Sequence, residues 1–375
     1  MKTLLKLLLL LCVSVVSAQK FVITNVTVFD GEAVTDTISV LVEDGVITEI
    51  AKTITTDATT VDGTGKFLMP ALTNCHVHAW SNDALTEAAQ AGVTNVLDMH
   101  GVEMAQGMMK SLKDSTNYAR CFVAGAAATA PGGHGTQYGF PTPTLIKPEE
   151  AEGFISDRIA AGADYIKIIV EPWKETLSHE TVGALIAAAH AKDKRAVVHI
   201  SKAEDAKKVL ENGADGLVHV WWDTLISTEQ LKTWSRNKDC FIMPTLLTSQ
   251  LVLPMIRKSA PEGKLLSDEQ LEQQVKMIYD AGIDILAGTD PPNAGINYGT
   301  DLYKELKLLS KAGVPNLVVL KSATSLPAKY FPLGKTGSIK EGYKADMLLL
   351  NASPIQDIDN ISNIAVVWKD GKKVR

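Results

Sequence analysis

The chain has 375 residues, of which 46% are hydrophobic and 21% charged, and this composition is typical of a globular protein with a large buried core. Its length predicts one large domain with a smaller one, or two to three domains. The formal net charge of −6 and the pI near 5.8, without any block of basic residues, argue against a protein that binds nucleic acid electrostatically.

The N-terminal stretch "MKTLLKLLLLLCVSVVSAQK" has the pattern of an export signal. Two lysines accompany an apolar run, and Val16-Ser17-Ala18 suits signal-peptidase cleavage before Gln19. The apolar run is too short to span a membrane, so residues 1–18 are predicted to be a removable signal peptide. We therefore expect an exported protein, periplasmic or secreted, with no stable membrane span after cleavage. Lipidation at Cys12 is the alternative.

Export would leave Cys75, Cys121 and Cys240 in the mature chain. An odd number of cysteines argues against a full disulfide framework but leaves room for one pair.

Both ends of the mature chain are predicted to form short β-strands. Residues 19–70 contain "FVITNVTVF", "TISVLVEDG" and "VITEIAK", and residues 331–375 contain "IAVVWKDGKKV". We expect these two segments to combine in one small composite domain with a β-sandwich arrangement.

Residues 71–330 alternate apolar strands with longer helical segments, which indicates βα units and a parallel sheet. Eight strands are predicted, at Leu72–His78, Thr94–Asp98, Cys121–Gly125, Tyr165–Val170, Ala196–Ile200, Gly216–Val220, Cys240–Thr245 and Ile285–Asp290. Eight such units over this length favour an α/β fold of the (β/α)8 TIM-barrel type. A doubly wound open sheet is the alternative, but no GxGxxG fingerprint follows an early strand.

Polar side chains lie at or near the ends of five of these strands. They are His76, His78, Lys167, His199, His219 and Asp290. Because functional residues of such barrels lie at the C-terminal ends of the strands, these side chains are predicted to converge on one metal site. Imidazole and carboxylate groups are ligands expected of zinc and similar ions. The alternative is a set of separate, structural histidines.

The motifs "CHVHAW", "GADYIKI", "AVVHISKAEDA", "NGADGLVHV" and "LAGTD" together resemble those of the amidohydrolase superfamily of metal-dependent hydrolases. More narrowly, they resemble imidazolonepropionase-like proteins and bacterial prolidases with a carboxylated lysine. The C-terminal "GSIKEGYKADMLLLNASP" is similar to the family's return to its small β domain. The family usually has aspartate two residues before the first histidine, where this chain has Asn74.

The resemblance implies two divalent ions, with zinc expected, and a carbamate on Lys167 that bridges them. His76 and His78 would bind the first ion with Asp290, and His199 and His219 the second. The alternative for Lys167 is an ion pair with Glu171 or Asp290.

The implied chemistry is attack on a carbonyl by a hydroxide shared between the ions, with Asp290 as the catalytic residue that takes its proton. His134 and Tyr138, in a long loop rich in glycine and proline, and Trp221, after the sixth strand, are candidate substrate-binding residues. Each of the three has a packing role as its alternative.

The sequence therefore predicts an exported hydrolase that cleaves an amide, cyclic amide or ester of a small molecule, with a dipeptidase or prolidase-like activity as one candidate. The alternatives are an inactive barrel used for binding, or a lactonase, deaminase or isomerase on the same scaffold. No nucleic-acid partner is expected, and the sequence leaves a homo-oligomer open.

Overall fold

A computed structural model describes residues 20–237, 240–258 and 265–375. The predicted signal peptide, residues 1–18, lies outside the described residues. Within the described ranges, no helix has the length and apolar character needed to cross a membrane. Cys75, Cys121 and Cys240 are buried, and no disulfide joins any two of them, so the pair that the sequence left open is not formed.

The two ends of the chain form one mixed β-sheet. Its strands are β1 (Lys20–Phe29), β2 (Val34–Glu43), β3 (Val46–Ala51), β4 (Thr59–Asp62), β5 (Phe67–Pro70), β14 (Met347–Leu350), β15 (Ile364–Lys369) and β16 (Lys372–Lys373). The order is β16-β15-β14-β5-β1-β2-β3, with β4 also paired to β1. β14 runs antiparallel to β5, with Met347 opposite Pro70, and so joins the C-terminal segment to the N-terminal one. A packed second layer, which a sandwich requires, stays a prediction.

The middle of the chain has an α/β fold with all eight predicted strands. They are β6 (Leu72–Val77), β7 (Val93–Asp98), β8 (Arg120–Val123), β9 (Ile166–Ile169), β10 (Ala196–His199), β11 (Gly216–Val218), β12 (Phe241–Met243) and β13 (Asp284–Ile285). They pair in parallel as two sheets, β6-β7-β8 and β9-β10-β11-β12-β13. This arrangement fits the strands of a barrel.

Backbone contacts link the two sheets at both edges. A parallel bridge joins Ala128, beyond β8, to Ile168 of β9. On the other side, the Cys75 amide donates to the Ala287 carbonyl at 2.9 Å, and the Asp290 amide donates to the His76 carbonyl at 2.8 Å. Asp290, the fifth residue beyond β13, is therefore held beside the end of β6.

The helices are α1 (Asn82–Gln90), α2 (Glu103–Ser111), α3 (Ala151–Ala160), α4 (His179–His190), α5 (Ala203–Glu211), α6 (Thr228–Asn237), α7 (Leu246–Arg257), α8 (Asp268–Asp280), α9 (Asp301–Lys311), α10 (Asn316–Ser322) and α11 (Ser325–Tyr330). Their apolar faces pack with the outer faces of the strands in one large core. A second cluster, which includes Cys75, Val197, Phe241 and Leu286, lies between the strands. Gly216 is required there, because a Cβ atom would lie 2.1 Å from the Phe241 ring.

Several strands end earlier than predicted, and the backbone turns to a left-handed conformation at three positions beyond their ends. His219, Thr245 and Asp290 have φ angles of 71°, 48° and 61°, and they follow β11, β12 and β13. Residues other than glycine rarely adopt this left-handed conformation, which costs about 1–3 kcal/mol each and often occurs at active sites. His219 is the first residue after β11, Thr245 is the second after β12, and Asp290 is the fifth after β13, so all three lie outside the regular strand alternation.

Candidate active site and metal centre

The structure brings all six residues predicted as metal ligands to one cavity of about 410 Å³. These residues are His76, His78, Lys167, His199, His219 and Asp290. Oδ1 of Asp290 lies 3.3 Å from Nε2 of His76 and 3.1 Å from Nε2 of His78. The His219 ring centroid is 5.1 Å from that of His76 and 4.6 Å from that of His199. The five strands that carry these residues therefore bring them together as the sequence predicted.

His76, His219 and Asp290 each offer a ligand atom within 4.8 Å of the others, which is a geometry that can hold a metal ion. Both ring nitrogens of His76 are buried and have no hydrogen-bond partner among the described residues. A buried imidazole without a partner is costly unless another group, such as a metal ion, binds it. The donor set thus fits a divalent cation. The two buried ring nitrogens of His76 without a hydrogen-bond partner are the observation that favours a bound cation.

The other three histidines each use one nitrogen for a protein contact. Nδ1 of His78 lies 3.2 Å from the His100 carbonyl, and Nδ1 of His219 lies 2.6 Å from Oγ1 of Thr245. Nε2 of His199 lies 2.9 Å from Oε2 of Glu171. Such contacts fix the ring orientation and leave the opposite nitrogen as the one available to a metal ion.

The electrostatic environment keeps most of these imidazoles in the neutral form that ligates metals. Burial lowers the pKa of His76, His199 and His219 well below the ordinary histidine value. Burial also disfavours charge on His78 and Asp290, but their mutual hydrogen bond outweighs it. As a result the pKa of His78 is raised and that of Asp290 is lowered, so the carboxylate stays ionised.

Lys167 is buried, and burial lowers the pKa of its amine to about 7. The sequence left open an ion pair between Lys167 and Glu171 or Asp290. Within the described residues, neither carboxylate forms an ion pair with Lys167. Glu171 instead contacts His199 and accepts a hydrogen bond of 2.6 Å from the Ser201 hydroxyl.

Sequence reasoning missed several residues that position the ligands. They are Thr245, Asn293, whose Nδ2 donates to Oδ1 of Asp290 at 2.9 Å, and Glu171, which the sequence offered only as an ion-pair partner of Lys167. Glu171 is the second residue beyond β9, and that position beyond a strand end is the signal that was available. No local signal pairs it with His199, which is 28 residues away.

Asn74, where the family usually has aspartate, connects the first and last strands of the site. Its Nδ2 donates to Oγ1 of Thr289 at 2.7 Å, and its Oδ1 accepts from the backbone amides of His76 and Thr289, both at 3.2 Å. Both ends of the amide are used, so asparagine supports the His76 and Asp290 segments at this position.

Two of the three predicted substrate-binding residues, His134 and Tyr138, line the cavity. Nε2 of Gln137 lies 3.3 Å from Nδ1 of His134, and burial lowers the pKa of His134 to about 4. His100 braces the same loop, because its Nδ1 accepts from the Ala127 amide at 2.9 Å and its Nε2 lies 3.1 Å from the Gly135 carbonyl.

The structure places Trp221 elsewhere, in the buried core, with its Nε1 3.3 Å from Oε1 of Gln274. Its neighbour Trp222 lines the cavity instead. Burial in the core is the packing role that the sequence left open for Trp221. β11 ends at Val218, and the backbone takes a left-handed conformation at His219, two residues before Trp221.

A sequence profile described as the amidohydrolase family matches residues 67–374, most of the chain. Ochratoxinase from Aspergillus niger is 23% identical over 372 residues, which cover 81% of this chain and 75% of the relative.

Among solved structures, a Xaa-Pro dipeptidase with bound methionine superposes with a TM-score of 0.81 at 22% identity, covering 94% of this chain and 99% of the other. The structure of A. niger ochratoxinase gives a TM-score of 0.78 at 20% identity, with 96% of both chains covered. At these identities the structural matches show the fold. The chain belongs to the amidohydrolase family and is an amidohydrolase, as its sequence motifs predicted.

Proposed function

We propose that this chain is an exported, metal-dependent hydrolase that cleaves an amide, cyclic amide or ester bond of a small molecule. The proposal includes a closed (β/α)8 barrel, a small β-sandwich domain from residues 19–70 and 331–375, and removal of residues 1–18. The observation that carries the catalytic part is the buried cluster in which His76, His219 and Asp290 surround one space and neither ring nitrogen of His76 has a hydrogen-bond partner among the described residues.

Two divalent ions, with zinc expected, would be held by the six converging residues. His76, His78 and Asp290 would hold one, and His199 and His219 the other. When bound, such ions polarise a carbonyl group and lower the pKa of a water molecule. The neutral state of His76, His199 and His219 supports this assignment, because only a deprotonated ring nitrogen can bind a metal ion.

Lys167 would contribute as a carbamate. Its uncharged amine attacks carbon dioxide, an N–C bond forms, and the amine loses a proton to leave an anionic group that can bridge two cations. The burial of Lys167 and its lack of an ion pair with Glu171 or Asp290 support this proposal.

Asp290 would act as the general base and would then deliver the proton to the leaving group. Its ionised carboxylate lies beside His76 and His78, and Asn293 holds it in place. His134 is suited to stabilise the developing oxyanion of the substrate. Because the Gln137 amide donates to Nδ1, the proton of the neutral His134 ring lies on Nε2, which can donate to that oxygen.

The substrate class rests on the family and on the chemistry of the cluster. Dipeptides are one candidate, in keeping with the structural similarity to a Xaa-Pro dipeptidase. All six predicted ligands are present and converge, and this favours an active enzyme over an inactive barrel used for binding.

Metal analysis of the purified mature protein, combined with a hydrolysis screen over dipeptides, N-acyl amino acids and lactones, tests the proposal. We expect about two divalent ions per chain and turnover that is lost with a chelator and restored by zinc. A fully loaded preparation with one ion and an unmodified Lys167 would contradict the binuclear assignment. Turnover that survives complete metal removal would contradict metal dependence.

A further inference from the structure

One face of α7 lines the cavity. Thr248, Val252, Met255 and Ile256 recur at helical spacing on this face, and all four line the site. Met255 is nonetheless 71% exposed, and Trp173, which also lines the cavity, is 61% exposed. A ligand with an apolar group at this mouth would cover these side chains and remove apolar area from water.

Among the described residues, lysines and arginines are scarce at this mouth. Of the residues that the structure describes, Lys167 is the single lysine or arginine lining the cavity, and it belongs to the proposed metal site. Arg257, at the end of α7, binds the carboxylate of Asp268 at 3.0 Å and the Leu266 carbonyl. Lys174 lies 5.3 Å from the Trp173 ring centroid and does not line the cavity. A free carboxylate on the substrate therefore finds no dedicated partner among these side chains.

The N-terminus of α7 is also engaged. Backbone amides at a helix N-terminus are a common site for anions. Here the amides of Leu246 and Leu247 donate to the two carboxylate oxygens of Glu305 at 3.0 and 2.8 Å. The side chain of Glu305, from α9, is buried and already occupies the place of an anionic ligand.

We propose that the part of the substrate that contacts Met255, Trp173 and Trp222 is apolar and uncharged. The preferred substrates are then neutral aryl or alkyl amides, in preference to dipeptides or N-acyl amino acids with a free carboxylate. This inference rests on the proposed function, since it assumes that the cavity is the hydrolytic site.

N-acetylphenethylamine and N-acetylphenylalanine test it, because they differ by one carboxylate group. For the zinc-loaded enzyme we expect kcat/KM to be at least about tenfold higher for the neutral compound, a difference of about 1.4 kcal/mol. Binding of both compounds to the metal-free protein, followed by calorimetry, gives a readout independent of turnover. There too the neutral compound should bind more tightly.

Met255→Lys introduces a cation at the mouth and should reduce the preference for the neutral compound at least about tenfold in both assays. Met104→Lys is the matched control, because Met104 is 76% exposed and does not line the cavity, and it should leave the preference unchanged.

Equal or better hydrolysis of N-acetylphenylalanine by the unaltered enzyme would overturn the inference. If neither compound is hydrolysed, the proposed function fails for this pair. The binding data then decide: tighter binding of the neutral compound supports the inference, and equal binding, weaker binding or none overturns it.

Discussion

Oε2 of Glu171 lies 2.9 Å from Nε2 of His199, and this contact determines which nitrogen of His199 is available to a metal ion. Glu171 is itself held, because its Oε1 accepts a hydrogen bond from Ser201 at 2.6 Å. A carboxylate that contacts the far side of a ligating imidazole fixes the ring and increases its basicity. Glu171 therefore acts on the proposed metal site through His199.

Glu171→Gln should weaken metal binding by about 10–100-fold while the protein stays folded, because the amide keeps the size of the side chain but loses its charge. Competition with a chelator measures the affinity, and circular dichroism checks the fold. Glu175→Gln, at an exposed position in the same loop, is the control and should bind metal normally. Unchanged affinity in Glu171→Gln would show that the contact has no role in metal binding.

Lys167→Ala should lose the second metal ion and most of the activity, because a carbamate must span two cations and offset their repulsion. A short carboxylic acid added to this variant should restore part of the rate by filling the space that the carbamate leaves. Lys167→Met separates the carbamate role from packing, because methionine keeps a long apolar side chain but has no amine to carry a carbamate. Normal metal content and turnover in both variants would exclude the carbamate.

Asp290→Asn should reduce kcat by several orders of magnitude, on the order of 10²–10⁴, because the amide cannot accept the proton. The left-handed backbone at this position, with φ of 61°, tolerates asparagine well, so the variant should fold. Rate and metal content are measured together. Full activity would mean that Asp290 has only a structural role before Pro291-Pro292.

Trp221 and Trp222 should respond differently to truncation. Trp221→Ala removes a fully buried indole and should lower the free energy of unfolding by roughly 3–5 kcal/mol. Trp222→Ala, at the cavity wall, should raise KM with a smaller loss of stability. Urea denaturation and steady-state kinetics of the two variants provide the comparison. A rise in KM for Trp221→Ala alone would contradict the placement of these side chains.

Glu305 should make the stability of the protein depend on pH. Burial raises its pKa from 4.5 to about 7, so between these values the folded chain keeps a proton that the unfolded chain has lost. The contribution of Glu305 to the free energy of unfolding is therefore fully present below pH 4.5 and is lost as the pH rises through about 7.

Glu305→Gln cannot titrate, so its stability should fall less than that of the unaltered protein between pH 5 and pH 8, by an amount on the order of 2 kcal/mol. Urea denaturation at both pH values measures this difference. Parallel pH profiles would mean that Glu305 is ionised throughout.

The positions of the strands and of the six candidate ligands could be predicted from the sequence alone. Each strand is a short apolar run, such as "AVVH" in β10, and local hydrophobicity is enough to identify it. His199, His219 and Asp290 lie at or just beyond the ends of such runs, and parallel strands bring these ends to one edge. Convergence of the ligands therefore follows from strand order and requires no knowledge of individual contacts.

Only the tertiary structure decided what surrounds those ligands. The contact of Asn74 with Thr289 joins residues 215 positions apart, and Glu171 is 28 positions from His199, so no local pattern encodes either pairing. Trp222 lines the cavity where Trp221 was predicted to do so, and the left-handed backbone at His219 precedes both residues. That conformation is intrinsically unfavourable for histidine and persists because the packed structure around it supplies the compensating contacts, which local sequence preferences cannot reveal.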